Sequence, residues 1–263
     1  MEYRYVSFEM DGGIARMTLN RPDVGNALHI DMCKEMMDVS IRCDEDPEVR
    51  VLVVDAVGRM FCAGGDLKAF ADHADNLGPI LKEMTIWLHG TFSRFARMRA
   101  PVVTAVNGIA AGGGFGLAMC SDYVIAAESA GFAMAFTAAG LSPDSSSTWF
   151  LPRIIGLRRT QELMLTNRRI DAREALDWGL VTRVVADDSL ASEAMGIAGK
   201  LASGPTEAYG SVKRLLAATF DNGLETQMEM EAREVTENAR GADGREGVGA
   251  FLAKRKPGFT GRR

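Results

Sequence analysis

Apolar residues cluster along this chain in short runs that are cut by glycine. Tyr3 to Met10 and Ile14 to Leu19 flank Asp11-Gly12-Gly13 and predict a hairpin. Arg21 to Leu28 reads as a loop. Met32, Cys33, Met36, Met37 and Ile41 then fall at helical spacing and predict a helix over residues 30–44. Val51-Leu52-Val53-Val54 is a buried strand running toward Cys62-Ala63-Gly64-Gly65-Asp66-Leu67. A long helix is expected over 79–99. A second buried strand, Val102 to Val106, leads into Asn107-Gly108-Ile109-Ala110-Ala111-Gly112-Gly113-Gly114, then a short buried helix to Ser121 and a strand at Val124 to Ala127. Strand, turn and helix thus recur three times, which suggests a layered or spiral α/β unit. Past Ser189 the pattern predicts only helices, over 190–203, 205–220, 223–240 and 244–254, an appendage suited to oligomer contacts.

The two glycine turns bear most directly on chemistry. A turn leaving a buried strand can hold backbone N–H groups outside any β-ladder, and two such turns side by side can aim two donors at one carbonyl oxygen. A helix starting near Gly114 adds the positive end of its dipole. Other glycine motifs fit poorly. A dinucleotide fingerprint would use Gly112 and Gly114 but meets Leu117 where its third glycine belongs; a phosphate loop needs Gly-Lys-Ser/Thr and finds Phe115-Gly116; neither turn carries the serine of a nucleophile elbow.

Composition narrows the class. The chain has 263 residues, 47% hydrophobic and 25% charged, enough for one large core. A net charge of −5 with interleaved signs favours neither nucleic acid nor a membrane surface. Cys33, Cys43, Cys62 and Cys120 form no paired motif and are expected as free thiols in a reducing cytoplasm. Met1 to Arg4 lack the apolar run of a leader. Pro101 to Ser121 carries no charge, but its five glycines would make a poor membrane helix, and strand, turn and short helix account for it.

Taken together, these segments resemble the crotonase superfamily, the enoyl-CoA hydratase and isomerase proteins. The resemblance rests on Arg21-Pro22 to Leu28, Phe61 to Lys68, Pro101 to Asp122, Gly140 to Gly156, Ala172 to Val185 and Phe251 to Pro257. It implies a spiral of β-β-α units over residues 1–200 and a C-terminal helical trimerisation region over 201–263, assembled as a trimer or dimer of trimers. The ligand it implies is an acyl-CoA thioester, with no other cofactor and no metal. By the same match Gly65 and Gly113 are the oxyanion donors, Ala63 and Ala27 lie along the CoA through their backbone, and Leu67 and Phe136 sit in the substrate pocket. Asp66 is expected to order its loop or cap the next helix, and Lys254 to Lys256 either to meet CoA phosphates or to form a solvated tail.

The departures from the family pattern concern the reaction. The two glutamates with which family hydratases add water match Gly116 and Phe136, and neither can move a proton. Asp144, in Gly140-Leu141-Ser142-Pro143-Asp144, offers another carboxylate. The residues alone leave two roles open for it, a base strengthened by the apolar Phe136, Leu141, Trp149 and Phe150, or an N-cap for a helix starting near Ser145. The resemblance favours the base, since some family isomerases carry their single carboxylate there. His89, on the long helix, matches the water-activating histidine of family dehalogenases, although a packed structural histidine fits it too. His29 and His73 carry no assignment. The expected reaction is a double-bond shift in an enoyl-CoA, or related ring acyl-CoA, through a thioester enolate. The alternatives are hydration by a rearranged site, dehalogenation of the 4-chlorobenzoyl-CoA type, and a non-catalytic CoA-binding oligomer.

Overall fold

A computed structural model describes residues 3–72 and 74–262; Met1, Glu2, His73 and Arg263 lie outside the described residues, and with them the first half of the Met1–Arg4 stretch. The hairpin forms from β1 (Val6–Asp11) and β2 (Ile14–Leu19), paired antiparallel around Gly12-Gly13. After α1 (Ile30–Glu45) come β3 (Val51–Ala56), β4 (Met60–Cys62), α2 (Leu67–Ala71) and α3 (Leu77–Arg97). The next repeat is β5 (Val102–Val106), β6 (Ile109–Ala111) and α4 (Gly113–Met119). It is followed by β7 (Tyr123–Ala127), β8 (Gly131–Ala133), α5 (Ser147–Ile155) and α6 (Leu157–Thr166). Then β9 (Ile170–Asp171), α7 (Ala172–Asp177) and β10 (Arg183–Val185) complete the α/β part.

Each repeat therefore contains two strands, and the glycine segments are more than turns. Their first strands join the large sheet, ordered β1-β2-β3-β5-β7-β10, and their second strands the small one, β4-β6-β8-β9. Pairing is parallel from β2 to β10 and along β4, β6 and β8, with β9 antiparallel to β8. One β-β-α unit thus feeds both sheets before its helix closes it. The strands at the centre are uniformly apolar because both their faces are covered: every residue of β5 and the first four of β3 are buried. Phe61, Phe92, Phe95, Phe115 and Phe132 fill the core, the last two with ring centres 5.5 Å apart.

Four more helices follow, α8 (Leu190–Ala202), α9 (Thr206–Ala218), α10 (Leu224–Arg240) and α11 (Ala242–Leu252). Helix α8 belongs to the core, packing Leu190, Ala194 and Ala198 against β3, β5 and β7. Helix α9 is tied in by one charge. Lys213 Nζ donates to the carbonyls of Phe95 and Ala100 at 2.7 and 3.1 Å and pairs with Asp122 Oδ2 at 2.6 Å. By contrast α10 buries none of its residues, and Leu224, Met228 and Val235 are exposed on it. Pro101 to Ser121, uncharged throughout, forms β5, β6 and α4, and no helix among the described residues is long and apolar enough to cross a membrane.

Candidate functional site

The two glycine segments meet. Leu28 N–H donates to the Gly64 carbonyl at 2.7 Å and Asp66 N–H to the Leu28 carbonyl at 2.8 Å, so the loop after β4 is held extended against Leu28. Gly64 has φ +91°, and a Cβ there would stand 2.9 Å from the Ala111 carbonyl oxygen and 3.5 Å from Gly112 Cα. Glycine is needed at 64 for both reasons, conformation and closeness. Gly112 N–H is used by the Ala133 carbonyl at 3.0 Å. The N–H groups of Gly65 and Gly113 donate to no protein acceptor among the described residues, and Gly113 is the first residue of α4, where helix N–H groups lack partners.

Gly65 and Gly113 line one cavity of about 320 Å³, together with Ala63, Leu67, Phe136, Leu141 and Asp144. Helix α3 supplies one wall through Leu81, Met84, Thr85 and Leu88, spaced so that they share a face, and Phe70 and Met134 close others. Asp144 and Lys82 are the ionisable side chains among its described lining residues. Of the aromatic residues expected around Asp144, Phe136 is in the lining, but Trp149 and Phe150 are not. They pack on each other with ring centres 4.7 Å apart, and Trp149 lies under the Arg153 guanidinium at 4.0 Å, outside the cavity.

Asp144 does not cap a helix with its side chain. Helix α5 begins at Ser147, with no side-chain bond at its N-cap Ser146. The Asp144 backbone carbonyl instead accepts from Ser147 N and Oγ at 3.0 and 2.6 Å. Its carboxylate accepts from Ser145 Oγ through Oδ1 at 2.6 Å, which leaves Oδ2 without a protein partner among the described residues. His89 is not brought into the lining: its side chain is exposed, and its Nε2 accepts the Ser145 N–H at 3.1 Å.

The remaining expected site residues divide. Asp66 caps α2, accepting from Ala69 N at 3.1 Å, and pairs with Arg21 at 3.1 Å. Burial pushes its carboxyl up, but the Ala69 N–H and Arg21 outweigh it and hold the group below the ordinary aspartate value. Ala27 is buried, outside the cavity lining, and its carbonyl accepts from Arg21 Nη1. Arg21 thus ties two loops together, and Asn26 helps by bonding the Val57 and Met60 carbonyls at 2.9 Å each. Both residues fall within the Arg21–Leu28 loop of the sequence, where no local pattern marks this role. Arg255 is committed to Glu246 at 2.6 and 2.8 Å, while Lys254 and Lys256 are exposed. Burial pushes the Cys62 thiol, beside the glycine turn, up to about 12, so it stays protonated. No group of three or more His, Cys, Asp or Glu among the described residues is placed to hold a metal ion.

Position 116 is closed. A Cβ on Gly116 would lie 2.5 Å from Ser145 Cβ and 2.6 Å from the Ser145 carbonyl oxygen. Gly116→Glu is therefore expected to gain no water addition to crotonyl-CoA. It should instead cost about 1–3 kcal/mol of stability through overpacking, read as a lower thermal midpoint. Measurable hydration by this variant would show that the loop at Ser145 can yield.

The comparisons with known proteins agree on the family. The enoyl-CoA hydratase/isomerase family model matches residues 9–262. The 1,2-epoxyphenylacetyl-CoA isomerase of Escherichia coli (strain K12) is 38% identical over 98% of this chain and 99% of its own. A probable enoyl-CoA hydratase of Rhodobacter capsulatus is 41% identical over 100% of both. The solved enoyl-CoA hydratase from Polaromonas sp. JS666 superposes with a TM-score of 0.92 at 32% identity, over 97% of this chain and 99% of that one. The mixed α/β fold with its helical C-terminal region is the crotonase-like fold. The chain belongs to the enoyl-CoA hydratase/isomerase family.

Proposed function

We propose that this enzyme is an acyl-CoA isomerase that moves the double bond of an enoyl-CoA, or of a related ring-bearing acyl-CoA, through a thioester enolate. One observation carries the reading: Asp144 is the only carboxylate among the described residues lining a cavity that also holds two unengaged amide donors, Gly65 and Gly113. The thioester oxygen accepts from those two N–H groups, which stabilise the negative charge that develops as the α-proton leaves. Removing one such donor typically costs ~10²–10³ in rate. Asp144 Oδ2 takes the proton from the α-carbon and returns it two carbons away, acting first as base and then as acid. The double bond ends in conjugation with the thioester, and atoms and charge balance without a second group.

The absence of side-chain carboxylates at Gly116 and Phe136 supports this over two-glutamate hydration, and the name of the Escherichia coli relative supports an isomerase, with an aryl acyl group among the substrates to try. The apolar wall of Leu81, Met84, Leu88 and Phe136 suits a hydrocarbon chain or ring. Exposed Val212, Leu216 and Phe220 on and after α9, with the apolar residues of α10, are taken as the contacts of a trimer or dimer of trimers. Offering the enzyme a 3-enoyl-CoA and, separately, crotonyl-CoA tests the reaction. Conjugation of the first with no water addition to the second is expected, and hydration without conjugation would overturn the proposal.

A further inference from the structure

The loop that carries Asp144 is held in a costly shape. Ser145 and Ser146 are consecutive non-glycine residues in the left-handed region, both with φ 55°, a conformation that costs about 1–2 kcal/mol per residue. Ser145 is fully buried, and its side chain and carbonyl fill the space over Gly116. Within the loop, Ser145 Oγ donates to Asp144 Oδ1 at 2.6 Å and Ser146 Oγ to the Ser145 carbonyl at 2.7 Å. One side chain from another element hydrogen-bonds to Ser145: His89 of α3, whose Nε2 accepts the Ser145 N–H at 3.1 Å across 56 residues of sequence.

We propose that His89 is a positioning residue for the catalytic carboxylate: its Nε2 holds the Ser145 N–H, which fixes the left-handed bend and so the direction of Asp144 beside the two amide donors. The role rests on the reading of Asp144 as the base. To accept an N–H, Nε2 must keep its lone pair, so the ring is neutral with its proton on Nδ1. A nitrogen engaged in this way is not free to activate water, which separates His89 from the role that its sequence position suggests. The ring's exposure fits the same assignment, because a group acting through another need not face the substrate.

His89→Ala and His89→Gln distinguish the possibilities, with thermal midpoint, KM, kcat for conjugation and α-proton exchange into heavy water measured for each. Misplacing a reacting group by about 1 Å costs on the order of 10²-fold. His89→Ala is accordingly expected to lose about 10–100-fold in kcat with KM nearly unchanged. His89→Gln, whose Oε1 can accept the same N–H, should recover most of that loss. Unchanged kcat in His89→Ala would overturn the proposal. So would a glutamine variant as impaired as the alanine one, since the imidazole would then be needed for more than its lone pair. A KM rise matching the kcat loss would mean a generally loosened cavity and overturn it as well. If wild-type enzyme conjugates no 3-enoyl-CoA, the reading of Asp144 itself fails and the positioning role falls with it.

Discussion

Replacing Asp144 with asparagine is expected to lower kcat for conjugation by about 10²–10⁴-fold, the usual worth of a positioned acid–base group, with acyl-CoA affinity little changed. The substitution is close to isosteric. Asparagine Oδ1 can still accept from Ser145 Oγ, as Asp144 Oδ1 does at 2.6 Å, so the loop and its bend should persist. What disappears is the second oxygen, Oδ2, which has no partner among the described residues and is the one left to take a proton. The Gly65 and Gly113 amides would remain in place and continue to bind the thioester oxygen. A large loss in kcat without loss of binding therefore isolates proton transfer from oxyanion stabilisation. Full activity in Asp144→Asn would place the base elsewhere.

The second large effect concerns stability. Lys213→Met is expected to destabilise the fold by about 3 kcal/mol, the low end for breaking a buried ion pair, because Asp122 retains some contact with solvent. Methionine fills much of the lysine's volume, so cavity formation adds little. The cost comes from three acceptors losing their shared donor: the Phe95 and Ala100 carbonyls, 2.7 and 3.1 Å from Nζ, and Asp122 Oδ2 at 2.6 Å. At roughly 2–4 °C per kcal/mol for a chain of this size, the thermal midpoint should fall by roughly 6–12 °C. Asp122 also accepts the Val102 N–H at 2.8 Å, at the start of β5. Adding Asp122→Asn should recover part of the loss, because the amide oxygen still serves Val102 while the stranded charge is gone.

The parts of the site that were legible in the sequence are those built from backbone. Gly64, Gly65, Gly112 and Gly113 follow apolar strands, and a position such as 64, where a Cβ would stand 2.9 Å from the Ala111 carbonyl oxygen, leaves its mark on the sequence as glycine. Asp144 is marked by the family resemblance, since Pro143-Asp144-Ser145-Ser146 taken alone reads equally well as a helix cap. Other features left little trace. Strands β4, β6 and β8 have three residues each, too few to show alternation, so the glycine segments read as turns only. Trp149 and Phe150 follow Asp144 closely in sequence, yet the left-handed step at Ser145 and Ser146 starts a helix that carries them away from the cavity. The His89 contact goes to a backbone N–H, which any residue at 145 would supply, and the Asp122–Lys213 pair spans 91 residues; neither has a local pattern.

The central claim is that Asp144 removes an α-proton from a thioester held by two amides, and that no water oxygen enters the acyl chain. Its most direct test is the mass of acyl-CoA recovered after turnover of a 3-enoyl-CoA in heavy water enriched in heavy oxygen. Conjugated product without heavy oxygen is the predicted result, with deuterium entering only as far as the protonated Asp144 exchanges with solvent before it returns the proton, whereas heavy oxygen in the acyl chain would contradict it.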